Sequence, residues 1–144
     1  MQYTTMEKAG AMFSPFETTA ADRPEHTHIW GAEEWIINTD QYCGKLLWIK
    51  SGFQSSLHYH KIKTETFLCL RGTVLVEYYP KGTEHKKEIT VLKGWARDAI
   101  HLPNGVPHRF MAKSEDALVV EFSTYHSDED VVRLEESKAS KEIA

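Results

Sequence analysis

Two histidines and a glutamate stand close together near the middle of this 144-residue chain. The stretch GFQSSLHYHKIKTETFLCLRG, residues 52–72, places His58 and His60 two positions apart, so both side chains leave the same face of a β-strand. Glu65 begins the next apolar run, ETFLCL, after a short turn. Two imidazoles and a carboxylate that converge on one interior are the ligand types of a divalent metal ion.

A fourth ligand is available in a separate segment, DAIHLPNGVPHRF. Pro103, Asn104 and Gly105 form a turn in which the glycine can take a positive φ, and His108 opens the strand that follows. Four protein ligands leave one or two positions open on a five- or six-coordinate ion, as in a catalytic metal site. Three nitrogens and one carboxylate suit Mn, Fe, Ni, Co or Zn, so the sequence predicts one divalent ion without choosing between them.

Short apolar runs must position these side chains. From Trp30 onward, runs rich in Ile, Val, Leu and aromatic residues alternate with turn residues, which is typical of strands. The predicted strands are EEWIIN, GKLLWIK, SSLHYH, ETFLCL, TVLVEYY, EITVL, DAIHLP, HRFMA and ALVVEFS. Many short strands at regular spacing favour an antiparallel sandwich or barrel. We therefore predict an all-β fold with a single barrel domain over residues 26–126.

The two ends of the chain differ from this barrel segment. Residues 1–25 are mixed and polar, and Pro15 and Pro24 interrupt any helix, so we predict an N-terminal arm that covers an edge strand or a neighbouring subunit. Residues 127–144 are largely charged and small, and Ser127 is suited to cap a short helix. We therefore predict a short C-terminal helix or tail.

Bulk properties exclude several classes of protein. The chain is long enough for one domain with a real core. Its formal net charge of −4 gives no support for nucleic-acid binding. No apolar stretch approaches transmembrane length, and the N-terminus lacks the layout of a signal peptide. Cys43 and Cys69, without an export signal, are expected to stay reduced. We expect a cytoplasmic protein that binds neither nucleic acid nor membrane.

The two ligand segments together resemble the two signature motifs of the cupin superfamily. The first follows G-x5-H-x-H-x4-E-x6-G from Gly52 to Gly72, and the second follows P-x-G-x2-H from Pro103 to His108. Ala112 stands where an asparagine is usual, and the upstream glycine is displaced to Gly94. The resemblance implies a double-stranded β-helix, the cupin jelly-roll barrel. It also implies four metal ligands: His58, His60, Glu65 and His108.

A finer resemblance is to the cupin domain of type II phosphomannose isomerases, and it covers roughly residues 30–136. This chain has the Trp30-Gly31 opening, a lysine (Lys45) on the next strand, the S-L-x-x-H-x4-E core from residue 56, and an ending of the type E-D-D-x-x-R at residues 128–133. His58 stands where that domain commonly has glutamine. The resemblance implies a metal-dependent isomerase or epimerase of a sugar or sugar phosphate, of the mannose/lyxose aldose–ketose type.

An aldose–ketose isomerase needs a metal for the oxygens of the reacting carbons, a base for the proton, and cations for any phosphate. Glu121, in VVEFS, has a strand parity that can face inward; it is the candidate base, or else a structural partner for a lysine. His101 could shuttle a proton at neutral pH, and Lys45 completes the candidate catalytic residues. The candidate substrate-binding cations are Lys63, Arg109 and Arg133. The separate pair His26 and His28 is interpreted as surface histidines.

Two other functions remain open. A cupin dioxygenase would use Fe or Ni in the same ligand set, and its pocket would be lined by Phe and Leu. A non-catalytic cupin would bind a metal or a carbohydrate as a sensor. A pocket lined by polar and charged side chains would instead favour a small sugar substrate. Since small cupins generally pair through a sheet face or through N-terminal strands, we expect a homodimer.

Overall fold

Fifteen short strands and two 3₁₀ turns are found in the computed structural model, which describes residues 7–8, 11–12, 23, 25–81 and 86–140. The strands, in chain order, are β1 (Glu7–Lys8), β2 (Ala11–Met12), β3 (Glu25–His28), β4 (Gly31–Asn38), β5 (Cys43–Ile49), β6 (Phe53–Gln54), β7 (Leu57–His60), β8 (Glu65–Arg71), β9 (Thr73–Tyr78), β10 (Glu88–Lys93), β11 (Ala99–Leu102), β12 (His108–Ala112), β13 (Ala117–Ser123), β14 (Val131–Glu135) and β15 (Lys138–Ala139). The 3₁₀ turns are Gly94–Ala96 and Asp128–Asp130. No α-helix occurs in these ranges.

The strands form two main sheets, in which every pairing between strands is antiparallel, and β1 pairs separately with β2. The first sheet has the order β10-β9-β12-β6-β15, and β7 lies between β12 and β14 in the same sheet. The second sheet has the order β11-β8-β13-β5-β4-β3. Each of the nine apolar runs forms a strand. The predicted all-β jelly-roll barrel is confirmed.

Alternation along three neighbouring strands sorts the barrel interior into a polar end and an apolar end. On β13 the inward residues are Glu121, Val119 and Ala117, and the first two lie opposite Lys45 and Leu47 of β5. On β8 the inward row likewise passes from a glutamate to apolar side chains. The apolar end packs against the first sheet in one core. Its buried members are Trp30, Leu47, Ile49, Phe67, Cys69, Val74, Val76, Leu92, Leu102, Val106, Phe110, Ala112, Ala117 and Val119.

Residues 127–140 join the barrel. Ser127 does cap a turn, because its hydroxyl oxygen accepts a hydrogen bond from the Glu129 backbone N–H, but the turn has only three residues. The segment after it forms β14, which pairs with β7, and β15, which pairs with β6. The predicted helix or tail is therefore corrected to one 3₁₀ turn and two strands. The physical reason is that the outer edge of β7 has backbone groups that need partners.

The predicted N-terminal arm, residues 1–25, lies mostly outside the described residues, and its course stays a prediction. Cys43 and Cys69 are both buried and form no disulfide. Within the described part of the chain, no helix has the length and apolar character needed to cross a bilayer.

Candidate metal centre

Three strands bring the four predicted ligands to the polar end of the barrel. His58 and His60 project from one face of β7, and His108, at the start of β12, lies directly opposite His58 in the antiparallel register. One ligand nitrogen from each of the three imidazoles lies within 4.8 Å of the others. Glu65 enters from β8 in the other sheet, and its Oε2 is 3.3 Å from His60 Nε2 and 3.6 Å from His108 Nε2.

These residues suit a divalent cation on the evidence of their unsatisfied atoms. His108 Nε2 and Glu65 Oε2 are both buried without a hydrogen-bond partner in the part of the chain that the structure describes. A buried polar atom without a hydrogen-bond partner costs free energy of folding. Two such atoms that face the same point indicate the position of a bound group. A divalent ion would satisfy a carboxylate oxygen and imidazole nitrogens at once.

The protonation states are also those that a metal needs. Burial, together with the neighbouring His108, lowers the pKa of His58 to about 3, and burial lowers the pKa of His108 as well. Although burial by itself opposes the carboxylate form, Lys63 and His108 hold the pKa of Glu65 below its ordinary value. At neutral pH His58 and His108 are therefore neutral and Glu65 is a negative carboxylate, so these three groups need not lose a proton before a cation binds.

A cavity of about 140 Å³ opens beside His58, His60 and Glu65. Its apolar lining comes from Trp30, Leu47, Phe67, Phe110 and Val131. Polar and charged side chains make up most of the rest: His28, Glu33, Lys45, Ser55, Ser56, Lys63, Glu121, His126, Asp128, Arg133 and Ser137. The wall of the cavity is thus rich in ionisable groups.

The first of two ion-paired clusters in this wall contains Lys45. Its Nζ is 3.0 Å from Glu33 Oε1 and 4.3 Å from the centre of the Trp35 ring, and the side chain is only 1% exposed. The other oxygen of Glu33 is 2.5 Å from His28 Nε2. Although burial opposes ionisation, His28 and Lys45 hold the pKa of Glu33 below its ordinary value. Lys45 therefore carries a charge that is already compensated.

The second cluster contains Lys63 and Glu121. Lys63 Nζ is 2.6 Å from Glu121 Oε2 and 3.0 Å from His126 Nδ1. Burial opposes the charge on Lys63, but Glu121 and Glu65 outweigh it and raise the pKa of the ammonium group. Since an ammonium group can only donate, His126 accepts at Nδ1 and carries its proton on Nε2, which donates to Asp128 Oδ1 at 3.0 Å.

Two of the predicted site residues do not reach the cavity. His101 is exposed on the outer face of β11, where its Nδ1 lies 3.1 Å from Thr66 Oγ1. Arg109 is buried, but it forms ion pairs with Glu77 and Glu135 on the face of β12 opposite His108. Both corrections follow from strand alternation, which places successive side chains on opposite faces. Because His108 points inward, Arg109 points outward. Because Leu102 points inward, His101 points outward.

The other catalytic and substrate-binding candidates do line the cavity, and three further residues join them. The candidates that line it are Lys45, Lys63, Glu121 and Arg133. Arg133 lies on β14 at the exposed mouth. Sequence reasoning missed Glu33 and His126, and it interpreted His28 as a surface residue although it contacts the cavity. A signal for Glu33 existed, since it alternates with Trp35 in EEWIIN. His126 lies in a loop, where no periodicity indicates its direction.

His126 gives the metal-free protein a predicted pH dependence. Burial, with the charges of Lys45 and Lys63, lowers the pKa of His126 from 6.5 to about 4. The unfolded chain therefore takes up this proton near pH 6.5, and the folded protein only near pH 4. The contribution of neutral His126 to stability is complete above pH 6.5 and is lost as the pH falls toward 4, by about 3 kcal/mol in all.

Urea unfolding of the metal-free protein at pH 7.0 and 4.5 measures this effect. We expect His126→Gln to lose less stability over that interval than the natural chain does. The control His101→Gln, on an exposed histidine, should keep the full pH dependence. Equal losses in the natural chain and His126→Gln would contradict the assignment.

Known proteins resemble this chain in two ways, one by sequence and others by fold. No family profile matches the chain. A mannose-1-phosphate guanylyltransferase from Sinorhizobium fredii is 27% identical over 108 residues, which are 73% of this chain and 19% of that protein, so the chain spans about a fifth of its length. The capsular polysaccharide assembling protein CapF from Staphylococcus aureus superimposes with a TM-score of 0.71 at 19% identity, over 78% of this chain and 32% of CapF. Oxalate decarboxylase from Bacillus subtilis gives 0.71 at 18% identity, over 81% of this chain and 31% of the enzyme. At sequence identities of 19% and 18%, the two superpositions show that CapF and oxalate decarboxylase share a fold with this chain.

Proposed function

On the premise that this chain has the cupin jelly-roll fold, we propose that it is a metal-dependent isomerase or epimerase of a small sugar or sugar phosphate. The observation that carries the proposal is the polar wall of the cavity, where two lysine–carboxylate clusters face the three-histidine, one-glutamate ligand set. Such a wall offers many donors and acceptors to hydroxyl groups. A dioxygenase pocket lined by Phe and Leu fits this wall less well. The likeness to a mannose-1-phosphate guanylyltransferase supports the same substrate class.

His58, His60, Glu65 and His108 would hold the cation, which supplies Lewis-acid polarisation of the substrate's carbonyl and hydroxyl oxygens. The proton transfer between carbons falls to a carboxylate in the wall. Both oxygens of Glu33 are engaged, one by Lys45 and one by His28. Glu121 is engaged through Oε2, which receives hydrogen bonds from Lys63 and from Ser123. Its Oε1 accepts no hydrogen bond from another described residue and can contact a substrate, so we assign the general base to Glu121.

The cations differ in what they can offer a substrate. Lys45 and Lys63 are each bound to a carboxylate inside the barrel, so they serve better as hydrogen-bond donors to hydroxyl groups than as phosphate ligands. Arg133 is exposed at the mouth of the cavity. A phosphate on the substrate would therefore bind at Arg133, away from the reacting carbons.

The expected assembly is also a proposal. Trp48 and Phe122 point outward from neighbouring strands of the second sheet, and they are 44% and 54% exposed. Leu46, Leu68 and Val120 lie on the same outer face. This apolar surface supports the expected homodimer.

A metal and substrate screen tests the proposed function. We expect one bound divalent ion per chain, interconversion of an aldose and a ketose in a panel of free and phosphorylated sugars, and no oxygen uptake. Glu121→Gln should retain the ion and slow turnover by about 10²–10⁴-fold, the usual contribution of a general base. Oxygen consumption without sugar turnover would overturn the isomerase and support the dioxygenase.

A further inference from the structure

One of the metal ligands lacks the anchor that its companions have. His58 Nδ1 lies 3.0 Å from the carbonyl oxygen of Ser56, and His108 Nδ1 lies 3.0 Å from that of Val106. In both cases the carbonyl belongs to the residue two positions upstream, and the bond turns Nε2 toward the other ligands. Nδ1 of His60 is buried and has no hydrogen-bond partner in the described part of the chain.

A carboxylate is aimed at this nitrogen from the C-terminal segment. Asp130 Oδ2 lies 3.8 Å from His60 Nδ1, and the Asp130 side chain is only 7% exposed. The 3.8 Å distance is longer than a hydrogen bond, so the contact has to shorten before Nδ1–H can donate. Among the described residues, no carbonyl oxygen accepts a hydrogen bond from His60 Nδ1 as those of Ser56 and Val106 do for the other two histidines.

Asp130 is itself fixed to the turn between two ligand strands. Its Oδ1 accepts the backbone N–H of Ile62 at 2.8 Å, and its Oδ2 accepts that of Lys63 at 2.9 Å. Its backbone oxygen accepts the N–H of Lys61 at 3.1 Å. These bonds join the 3₁₀ turn at residues 128–130 to the loop that connects His60 with Glu65.

We propose that Asp130 is a positioning residue for His60. Its carboxylate accepts a hydrogen bond from Nδ1–H of His60, which selects the tautomer whose Nε2 has no proton. The same bond orients Nε2 toward the cation, as outer carboxylates do for metal-bound histidines. The inference rests on the metal site of the proposed function and not on the isomerase activity. This proposal gives the 3₁₀ turn that precedes β14 a role in metal binding, which the position of the turn in the sequence does not indicate.

The competing explanation is that Asp130 only closes the turn through its two backbone hydrogen bonds. That role affects the stability of the metal-free protein but does not determine the tautomer or the orientation of the His60 ring. A test therefore has to read the imidazole directly, together with the affinity for a metal.

The first measurement uses the natural chain, labelled with ¹⁵N-histidine and loaded with zinc. Long-range ¹H–¹⁵N correlation spectra should place the His60 proton on Nδ1, in a hydrogen bond. A His60 ring that coordinates zinc through Nδ1, or whose Nδ1 proton exchanges freely with water, would overturn the proposal.

The second measurement compares Asp130→Asn with the neighbouring control Glu129→Gln, an exposed carboxylate outside the cavity lining. We expect Asp130→Asn to weaken zinc binding by about 10–100-fold and to shift the His60 Nδ1 resonance. Glu129→Gln should change neither. A zinc affinity within threefold of the natural value in Asp130→Asn, an unchanged His60 resonance, or an equal loss in Glu129→Gln would overturn the proposal. None of these outcomes depends on sugar turnover.

Discussion

His60→Ala is expected to abolish metal retention and, with it, all metal-dependent activity. His60 is 4% exposed, and its Nε2 lies 3.3 Å from the carboxylate of Glu65. The substitution therefore removes one proposed ligand and leaves Glu65 with His108 as its one histidine neighbour among the described residues. Loss of an outer hydrogen-bond partner already weakens metal sites by about 10–100-fold, and loss of a ligand should exceed about 100-fold. Metal content after dialysis and zinc titration measure the effect.

The matched control for this experiment is His101→Ala. His101 is exposed on β11 and does not line the cavity, so this variant should keep the metal content and the activity of the natural chain. Circular dichroism should show the same strand content in both variants. Full metal retention by His60→Ala would contradict the assignment of the ligand set.

Lys63→Met is expected to be the most destabilising single change in the cavity. The Lys63 side chain is 1% exposed and lies 2.6 Å from Glu121, and Glu65 also contributes to its raised pKa. Removal of the ammonium group leaves two buried carboxylates without their nearest cation. Breaking a buried ion pair in this way costs about 3–5 kcal/mol, and urea unfolding of the metal-free protein measures the loss.

Two companion variants separate charge from packing in this experiment. Lys61→Met changes an exposed lysine of the same turn, and we expect it to alter the free energy of unfolding by less than about 0.5 kcal/mol. Lys63→Met combined with Glu121→Gln removes both charges and should recover part of the loss. If the double variant were as unstable as the sum of the single variants, the pair would not be energetically coupled.

The strands, and the grouping of the four candidate metal ligands, could be predicted from the sequence because both follow local rules. Apolar runs bounded by turn residues became strands, and the two-residue spacing put His58 and His60 on one face. The turn with Pro103 and Gly105 precedes His108, and the short turn at residues 61–64 precedes Glu65, so both side chains reach the same end of the barrel. These features need only the period of a strand and the places where the chain reverses.

The rest of the site depends on strand order and register, which no local pattern contains. Glu33 meets Lys45 because β4 pairs with β5, and Lys63 meets Glu121 from a loop. His126 follows β13 in an irregular segment, where alternation gives no direction. The sequence predicts a helix or tail for residues 127–144 because they are largely charged and small and Ser127 is suited to cap a helix. Among the described residues, β14 instead pairs with β7, a partner that no local pattern indicates.

The misplacement of Arg109 has a simpler cause. Its positive charge suggested an anion ligand, although alternation from the inward His108 already pointed it to the other face of β12. Strand parity should therefore be applied before charge when substrate-binding residues are chosen in a barrel of this kind.

The two ion-paired clusters in the wall also constrain how the cavity can evolve. Lys45 and Glu33, like Lys63 and Glu121, come from different parts of the chain, so no single nucleotide change can replace both members of a pair. A lineage that exchanges them for neutral residues one at a time passes through an ancestor in which a charged side chain has lost its lysine or carboxylate partner. Selection against that intermediate would preserve both pairs together, even in descendants that have changed their substrate.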